Sequence, residues 1–368
     1  ILCTMINGFG RRGYYNSQEI GLGRALARKG HEVMIYKGID PSEKEEKVQV
    51  EKNLTIWYLP MKHLGAHGFM DCKNLDPQLK ALFCFGDQQI FLPHVYRWCR
   101  RRRIPFAAYV GTAHSLDSNF KSKVMNALFA AGTLRIYKKN PVLAKTSAAK
   151  EELRQLGIPH AVIAPVGLDT AVLKKNIPAV EKMRLRKEHG FEADDVILCN
   201  VSRLSWEKRP LELIDLFLQV KGKKKFKLII VGNGPLEEEL NEKIRKNGLE
   251  KEVKIYPNVP YEKMWEIYEM SDHYLNMNKG EIFGMAIMEA VYYKTSVAAI
   301  RALGPSVTLK DMKGHKLCEN DDEMAEWITG PYPSEKDLQE SSEKMAATFT
   351  WDRCADAFLQ ASSEKSSR

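Results

Sequence analysis

Several features that would assign this chain to large classes of protein are missing from its sequence. No run of 18 uncharged apolar residues occurs, so no transmembrane helix is predicted. The seven cysteines form no CxxC pair and no histidine cluster has metal-ligand spacing, so a zinc site is not expected. Reduced thiols, as in a cytoplasmic compartment, are expected instead. No GxGxxG motif follows a strand, which argues against a dinucleotide-dependent dehydrogenase.

The sequence does alternate short apolar runs with longer amphipathic runs. Its 368 residues exceed what one hydrophobic core ordinarily organises, so two domains are expected. The alternation is typical of βαβ units and a mostly parallel sheet. In the first half it predicts helices at Ser17–Lys29 and Phe120–Lys139, and strands at Ile1–Ile6, Glu32–Tyr36, Thr55–Leu59, Phe106–Val110, Val142–Lys145 and Ala161–Ala164.

The pattern is interrupted near Asp169, and a second series follows. Residues 170–182 are charged and irregular, so they are predicted to be a linker. Two doubly wound α/β domains are therefore expected, with ligands at the carboxyl ends of their strands and in the cleft between the domains. The second series predicts strands at Val196–Val201, Phe226–Val231, Val253–Tyr256, His273–Asn276 and Ser296–Ile300, and helices at Pro210–Val220, Pro235–Asn247, Glu262–Met270 and Phe283–Tyr293.

The net charge of +9 is unevenly distributed along the chain. One basic stretch has few acidic residues, and its cations are Arg97, Arg100, Arg101, Arg102, Arg103, Lys121, Lys123, Arg135, Lys138, Lys139 and Lys145. A basic face can bind anionic lipid, nucleic acid or an acidic glycan; the alternative is a solvated surface. No recognised nucleic-acid motif accompanies the charge, so no nucleic-acid partner is expected.

The second domain opens with a loop that suits a diphosphate. A predicted strand ends at Val201, Arg203 and Lys208 follow, and a helix begins at Pro210. The helix N-terminus offers unpaired N–H groups and a partial positive charge. Arginine adds a bidentate fork and lysine a point charge. The alternative is a capped helix start with exposed cations.

Two carboxylates separated by seven residues form a second candidate site. If a helix begins near Phe283, Glu289 lies about two turns into it and Glu281 lies in the preceding loop. Both can then face one cleft, where a carboxylate accepts hydrogen bonds from two hydroxyls of a sugar ring or a ribose. The alternative is a glutamate favoured by the helix dipole together with one surface glutamate.

Three further loops carry weaker signals. The segment Gly232–Pro235 joins a strand to a helix, and its glycines let a ligand approach the backbone closely. The glycine-rich segment Gly8–Tyr15 can cradle a phosphate or admit an acceptor. His114 follows a predicted strand, and a lone histidine of this kind is more often structural than catalytic.

The order of these motifs resembles the retaining GT-B glycosyltransferases of family four, the E-x7-E type of glycosyl transferases group 1. The resemblance covers nearly the whole chain, including the flanking segments 24–33, 164–169 and 349–352. It implies two tandem Rossmann-like domains that face each other across a cleft. Residues 1–175 would form the acceptor-side domain and residues 176–350 the nucleotide-sugar donor domain, and residues 351–368 would form a helix that crosses back to the first domain.

The resemblance also implies roles for individual residues. Arg203 and Lys208 neutralise the diphosphate leaving group, and Glu289 holds the ribose hydroxyls. Glu281 and the amides after it meet the donor sugar, towards which His114 also points. The predicted catalytic residues are His114, Arg203, Lys208 and Glu281. The predicted nucleotide-sugar contacts are Gly13, Arg203, Lys208, Gly232, Asn233, Asn258, Glu281, Phe283, Gly284 and Glu289.

The chain departs from the family pattern at a few positions within these loops. Each departure replaces a glycine or a glutamate that is common in the family, so the resemblance does not specify which sugar and which base are bound. The two carboxylates and the two cations are retained. The departing residues are Tyr14, Ser202, Pro257, Ile282 and Ser306.

Taken together, the motifs predict a metal-independent hexosyltransferase. It would move a sugar from a nucleotide sugar, expected to be UDP-linked, to a glycan, glycolipid or polysaccharide-precursor acceptor. No DxD motif is present, and fixed cations can stabilise the charge that develops on a diphosphate. No cofactor is expected, because the nucleotide sugar is a substrate. The alternatives are a GT-B nucleotide-sugar epimerase, an inverting transferase and a non-catalytic sugar-nucleotide-binding protein.

The basic stretch also predicts a location. Residues 120–139 combine cations with the apolar residues Val124, Met125, Leu128, Phe129, Leu134 and Ile136. An amphipathic basic helix can lie on an anionic lipid leaflet. We therefore expect a cytoplasmic enzyme that associates peripherally with the inner face of a membrane. The alternative is that the apolar positions pack into the first domain's core while the cations face water.

Overall fold

The computed structural model describes residues 1–6, 18–87, 89–113, 120–171, 173 and 178–366. The chain forms two compact units. The first comprises Ile1–Asp169 and Phe349–Arg368, and the second comprises Thr170–Thr348. Within the described residues, no helix is long and apolar enough to cross a membrane.

The first unit is built on a mostly parallel sheet. Its strands are β1 Leu2–Cys3, β2 Val33–Ile39, β3 Glu46–Glu51, β4 Leu54–Pro60, β5 His63–Leu64, β6 His67–Gly68, β7 Leu82–Phe85, β8 Phe106–Val110, β9 Val142–Ala144 and β10 Val162–Ile163. Among the residues described, eight strands pair in the order β10-β9-β8-β7-β1-β2-β4-β3. Only the β3–β4 pair of that sheet is antiparallel, and β5 and β6 form a separate antiparallel pair.

The helices of this unit follow its strands along the chain. They are α1 Gln18–Arg28, α2 Leu92–Arg101, α3 Phe120–Ala131, α4 Thr133–Tyr137 and α5 Ser147–Gln155. The expected single helix over residues 120–139 is interrupted at Gly132, which has φ −110° and ψ −79°. The interruption redirects the chain, so that Ile136 and Tyr137 of α4 pack into the core.

The second unit has the same architecture, and all its strand pairs are parallel in the part that the structure describes. Its strands are β11 Val196–Val201, β12 Phe226–Val231, β13 Val253–Tyr256, β14 His273–Asn276, β15 Ser296–Ile300 and β16 Lys316–Cys318, in the order β13-β12-β11-β14-β15-β16. Its helices are α6 Ala179–Glu188, α7 Pro210–Val220, α8 Glu237–Lys246, α9 Met264–Met270, α10 Met285–Tyr292, α11 Leu303–Thr308, α12 Asp321–Thr329 and α13 Glu335–Thr348.

The last helix, α14 (Trp351–Ser366), belongs to the first unit. Its first residue, Trp351, is buried against Gly21 of α1, where any side chain would overlap the indole ring. Arg28 of α1 bonds both Asp169 and Asp352, each at 3.0 Å. These contacts fasten the end of the chain to its first helix.

The predicted α/β fold class is confirmed, and the five strands predicted in the second half have the observed bounds. Other predictions were less accurate. The predicted linker 170–182 overlaps α6, which begins at Ala179. The predicted strand Ile1–Ile6 is reduced to Leu2–Cys3, the residues that pair with both β2 and β7. Strands β3 and β7 and helix α2 were not predicted.

Candidate active site

The loop after β11 holds the two predicted diphosphate cations in different ways. A short 3-10 turn, Trp206–Lys208, lies between β11 and α7. Lys208 is largely sheltered, and its Nζ lies 2.7 Å from Oε2 of Glu281. Arg203 is 57% exposed, and its side chain donates to Glu207 at 3.0 Å. Lys208 is therefore fixed within the site, whereas Arg203 lies at its rim.

Glu281 lies in the turn between β14 and α10, where three polar side chains converge. Besides Lys208, Asn278 Nδ2 donates to Glu281 Oε2 at 3.1 Å, and Asn276 also hydrogen-bonds the carboxylate. Burial raises the pKa of Glu281, but the Lys208 charge and these hydrogen bonds outweigh burial, so the pKa lies below its usual value. The carboxylate is thus ionised and oriented.

Backbone packing holds the Glu281 turn in place. The Gly304 N–H of α11 donates to the Glu281 carbonyl oxygen at 2.7 Å. A Cβ on Gly304 would lie 2.6 Å from the Phe283 nitrogen, so only glycine allows this approach. Gly284, with φ 83°, then begins α10 in a left-handed conformation. Phe283 and Gly284 therefore shape the turn.

Glu289 has different surroundings from Glu281. Helix α10 begins at Met285, so Glu289 lies just past its first turn rather than about two turns in. The residue is only 1% exposed, and the Tyr268 hydroxyl donates to its Oε2 at 2.7 Å. The Tyr268 ring in turn stacks on Tyr293. The structure therefore places the second carboxylate of the E-x7-E segment in the interior of the unit.

The glycine loop after β12 packs on the Arg203 loop. Leu204 N donates to the Asn233 carbonyl at 2.9 Å, and Leu236 N donates to the Leu204 carbonyl at 3.0 Å. A Cβ on Gly232 would overlap the Ser202 carbonyl oxygen, and one on Gly234 would overlap that of Leu204. The neighbouring loop therefore occupies the space that a side chain at either glycine would need, and the donor contact of Gly232 stays a prediction.

The loop after β13 joins the same edge of the sheet. Asn233 Nδ2 donates to the Pro257 carbonyl at 2.9 Å, and the exposed Asn258 follows. The carboxyl ends of β11, β12, β13 and β14 therefore bring together most of the predicted donor residues. Gly13 and His114, the two predicted site residues of the first unit, lie outside the described residues.

Sequence reasoning missed a polar cluster at the carboxyl ends of β7, β8 and β9. Asp87 Oδ1 accepts hydrogen bonds from the Gly111 and Thr112 amides, and its Oδ2 lies 2.6 Å from Lys145 Nζ. The Glu152 carboxylate accepts from Ala113 N at 3.1 and 3.2 Å. The cluster fixes the segment immediately before His114. A prediction of strand β7 would have drawn attention to Asp87, which follows it closely.

Arg209 was missed as well. It is the residue between Lys208 and Pro210, and its guanidinium forms two hydrogen bonds to Asp321. In the portions of the chain described, no group of three or more His, Cys, Asp or Glu side chains is arranged to hold a metal ion.

Comparison with known proteins adds independent information. Residues 181–344 match the family "Glycosyl transferases group 1". The chain is 23% identical to the D-inositol 3-phosphate glycosyltransferase of Xylanimonas cellulosilytica, over 98% of this chain and 94% of the relative. It is 21% identical to the alpha-monoglucosyldiacylglycerol synthase of Acholeplasma laidlawii, over 74% of this chain and 73% of the relative.

Solved structures share the fold. The sucrose-phosphate synthase of Thermosynechococcus elongatus matches with a TM-score of 0.75 at 16% identity, over 100% of this chain and 99% of the other. Anabaena Alr3699/HepE in complex with UDP and glucose matches with a TM-score of 0.71 at 16% identity, over 98% of both chains. These likenesses place both units in the GT-B fold.

Proposed function

We propose that this chain, a glycosyltransferase that carries a group 1 domain on a GT-B fold, transfers a hexose-type sugar from a UDP-linked donor. The acceptor is a glycan, a glycolipid or a polysaccharide precursor, the anomeric configuration is retained, and no metal ion takes part. The observation that carries the proposal is the Lys208–Glu281 pair, 2.7 Å apart at the carboxyl edge of a parallel sheet. The lysine ammonium group can pair with a diphosphate, and the carboxylate can accept hydrogen bonds from sugar hydroxyls.

The chemistry of the leaving group explains the role of the cations. When the bond between the sugar and the phosphate breaks, negative charge develops on the diphosphate. Lys208, held by the turn before α7, provides a fixed positive charge for that position, and the N-terminus of α7 adds unpaired N–H groups. Arg203 at the rim provides a bidentate fork that can close over the second phosphate.

Donor binding would exchange one partner of Lys208 for another. Glu281 neutralises Lys208 in this structure. A diphosphate competes for the same ammonium group and carries more negative charge, so it displaces one of the glutamate's hydrogen bonds. The carboxylate keeps its contact with Asn278 and becomes an acceptor for the hydroxyls of the donor sugar. The pair thus supports binding of both halves of the donor.

The remaining donor contacts are proposed on the same basis. The proposed role of Glu289 in holding the ribose hydroxyls rests on the family resemblance, since here the residue is 1% exposed and its carboxylate accepts from the Tyr268 hydroxyl. Asn258 lies in an exposed position on the loop proposed to meet the base. Gly13 near phosphate and His114 near the reacting sugar are proposed contacts that rest on the family resemblance alone. Retention needs no side-chain nucleophile in this proposal, because the departing phosphate draws the acceptor proton.

The relatives support the choice of donor and acceptor class. Alr3699/HepE has been crystallised in complex with UDP and with UDP-glucose. One relative is named for D-inositol 3-phosphate and another for a monoglucosylated diacylglycerol, which is a glycolipid. A UDP-hexose and a hydroxylated acceptor, either soluble or lipid-linked, fit both sets of names.

A membrane-bound acceptor has support from helix α3. Phe120, Val124 and Leu128 are exposed by 82%, 41% and 48%, and their spacing places them on one helical face. Exposed cations, including Lys123 and Arg135, lie nearby in sequence. Phe129 and Ile136, in contrast, pack into the core, so for these two residues the alternative of a purely structural role is confirmed. We propose that the exposed face of α3 rests on an anionic cytoplasmic leaflet.

Co-sedimentation with lipid vesicles tests the membrane proposal. Wild type should bind phosphatidylglycerol vesicles more strongly than phosphatidylcholine vesicles, and high salt should weaken binding, because each surface cation contributes roughly 1 kcal/mol. The double variant F120E/L128E should lose binding. V180E, which alters an equally exposed apolar residue of α6, should retain it. Equal binding to both vesicle types at low salt would contradict the proposed preference for an anionic leaflet, and no binding to either would contradict membrane association altogether.

A donor screen tests the proposed activity. Purified protein is incubated with UDP-, GDP- and ADP-sugars, with and without candidate acceptors, and nucleotide release is measured together with the fate of the sugar. A transferase releases UDP and glycosylates the acceptor. An epimerase converts the sugar nucleotide without an acceptor and releases no UDP, and this result would contradict the proposal.

A further inference from the structure

Arg209 has a backbone conformation that is unusual for its residue type. Its φ of 56° and ψ of 48° lie in the left-handed region, which non-glycine residues seldom occupy. The residue ends the Trp206–Lys208 turn and precedes Pro210, the first residue of α7. Proline disfavours a right-handed helical conformation at the preceding residue. Arg209 therefore joins the turn to α7 in the left-handed conformation instead.

The side chain of Arg209 explains why the strained conformation persists. It is mostly buried, and its NH1 and NH2 atoms donate to the two carboxylate oxygens of Asp321 at 3.1 and 2.7 Å. NH1 also donates to the Met277 carbonyl at 3.3 Å, and Nε donates to Glu212 at 3.3 Å. Strain maintained by several converging contacts is a known property of functional sites.

These contacts connect the two loops of the candidate site. Arg209 is covalently next to Lys208 on one loop, and its guanidinium binds the Met277 carbonyl on the other. Met277 immediately precedes Asn278, whose side chain donates to Glu281. The same guanidinium is anchored to Asp321 at the start of α12. Arg209 is therefore a shared support for both members of the Lys208–Glu281 pair.

We infer that Arg209 is a positioning residue: its bridge to Asp321 and Met277 sets the placement of Lys208 relative to Glu281 for the donor diphosphate. The inference rests on the proposed function of that pair. The guanidinium of Arg209 is already paired with Asp321, so Arg209 acts by holding the loop that carries Lys208 and not by contacting the phosphates.

Substitution by glycine separates the backbone from the side chain. R209G retains the left-handed conformation at little cost, because glycine adopts it readily, while the bridge is lost. The expected result is a folded protein whose kcat/KM for the UDP-sugar falls by about 10-fold to 100-fold, the range that a small misplacement of a reacting group can cost. The KM for the acceptor should stay the same.

Further variants keep the test independent of folding. R209K retains a positive charge but lacks the planar guanidinium that contacts Asp321 and Met277 at once, so its donor kcat/KM should also fall. D321N should resemble R209K. The R209G/D321N double variant should be no worse than R209G alone, because both substitutions remove the same interaction.

K294G is the matched control. Lys294 is also a basic residue with a left-handed φ, 59°, but it precedes strand β15 at the amino ends of the same sheet's strands. Its kcat/KM should remain within about twofold of wild type.

The outcomes distinguish the inference from the proposed function. If K208A is inactive while R209G and R209K keep the wild-type donor kcat/KM, Arg209 does not position the pair and the inference is overturned alone. If the wild type turns over no UDP-sugar, the proposed function is wrong. If K208A is fully active, the role assigned to the Lys208–Glu281 pair is wrong, and the inference that rests on it is overturned as well. If R209G and K294G lose activity to the same degree, the loss reflects backbone conformation and the positioning role is likewise rejected.

Discussion

At the scale of single residues, Lys208 and Arg203 differ in how firmly the structure holds them. Lys208 is sheltered and bonded to Glu281, whereas Arg203 is largely exposed and pairs with Glu207, four residues away on the same loop. A charge that is already in place when the transition state forms needs no reorganisation. We therefore propose that Lys208 provides a positive charge that is in place before the donor binds, and that Arg203 moves onto the diphosphate after the donor has bound.

Alanine substitution tests whether each cation contributes to stabilising the diphosphate. K208A and R203A should each lose transition-state stabilisation on the order of 3 kcal/mol, corresponding to roughly 100-fold in kcat, by analogy with the loss of an oxyanion donor. K223A, which removes an exposed lysine between α7 and β12, should be unaffected. Circular dichroism establishes folding, and steady-state kinetics with a UDP-sugar measures the effect. Wild-type kcat in a folded K208A protein would disprove its role.

Two buried histidines predict how stability depends on pH. His273 and His315 each have a ring nitrogen with no hydrogen-bond partner among the residues that the structure describes, and burial lowers the pKa of both to about 4. The unfolded chain, with a histidine pKa near 6.5, binds more protons than the folded chain between these values. Stability should therefore fall as pH drops from about 6.5 towards 4.

Urea unfolding at pH 7.5 and pH 5 measures this dependence. Each histidine should contribute a loss on the order of 2 kcal/mol at pH 5. H315N, whose side-chain Oδ1 takes the position of Nδ1 and can still accept from the Val297 amide, should show a smaller loss than wild type. A free energy of unfolding that is equal at the two pH values would contradict the assignment of both histidines as neutral buried groups.

At the scale of elements, the loops at the carboxyl edge of the second sheet support one another. Gly232 has a φ of 140°, and its Cα faces the Ser202 carbonyl so closely that no side chain fits. Replacing it moves either the Arg203 loop or the Gly232–Pro235 loop. The integrity of the donor site thus depends on how Gly232 packs, whether or not its backbone also contacts the donor.

Two alanine substitutions make this dependence measurable. G232A should destabilise the protein by more than about 1 kcal/mol and weaken UDP binding, because both the φ angle and the space require glycine. G222A lies in open space without a positive φ, so it should be neutral or stabilise the protein by about 0.4–1 kcal/mol. Thermal unfolding and UDP titration report both effects. Equal behaviour of the two variants would refute the packing argument.

The same scale shows what could be predicted from the sequence. Strands β11, β12 and β15 of the second unit are largely apolar, buried runs, so pattern alone gave their bounds, whereas the short strand β16 was not predicted. Strand β3 escaped because Glu46–Glu51 is a largely exposed, charged edge strand. The interruption of the helix at Gly132 depends on the tertiary packing that places Ile136 and Tyr137 in the core, which the local sequence does not specify. The position of Glu289 depends on where α10 starts. The left-handed conformation of Gly284 sets that start at Met285.

The side-chain partners were less predictable than the fold. The spacing of Arg203, Lys208, Glu281 and Glu289 indicated a site but not that Lys208 bonds Glu281 or that Tyr268 covers Glu289. Arg209 gave no signal, because its partner Asp321 is distant in the sequence and a left-handed arginine has no sequence signature. Long-range contacts of this kind arise only when the strands are assembled.

At the scale of the whole molecule, the chain's last segment stabilises its first unit. Trp351 is buried against Gly21, and Phe358 of the same helix packs on Phe83 and Tyr109. The first unit is therefore completed by residues that follow the second unit in the sequence. The assignment of acceptor binding to the first unit and donor binding to the second remains a prediction.

A single substitution tests the contribution of this segment. W351A should lower the free energy of unfolding of the first unit by about 3–5 kcal/mol, the usual cost of truncating a buried aromatic residue. W265A, which truncates a half-buried tryptophan of α9 in the second unit, is the control and should affect that unit instead. Hydrogen exchange resolved by peptide assigns each loss to a unit. Increased exchange confined to the second unit in W351A would contradict the account.

The central claim is metal-free transfer with retention from a UDP-hexose. The most direct measurement is a reaction followed by proton NMR in excess EDTA, with an α-linked UDP-sugar identified in the donor screen and its acceptor. The account predicts an α-linked product at the rate seen without EDTA, and a reaction at least 100-fold slower with K208A. A β-linked product, or activity lost in EDTA and restored by magnesium or manganese, would contradict it.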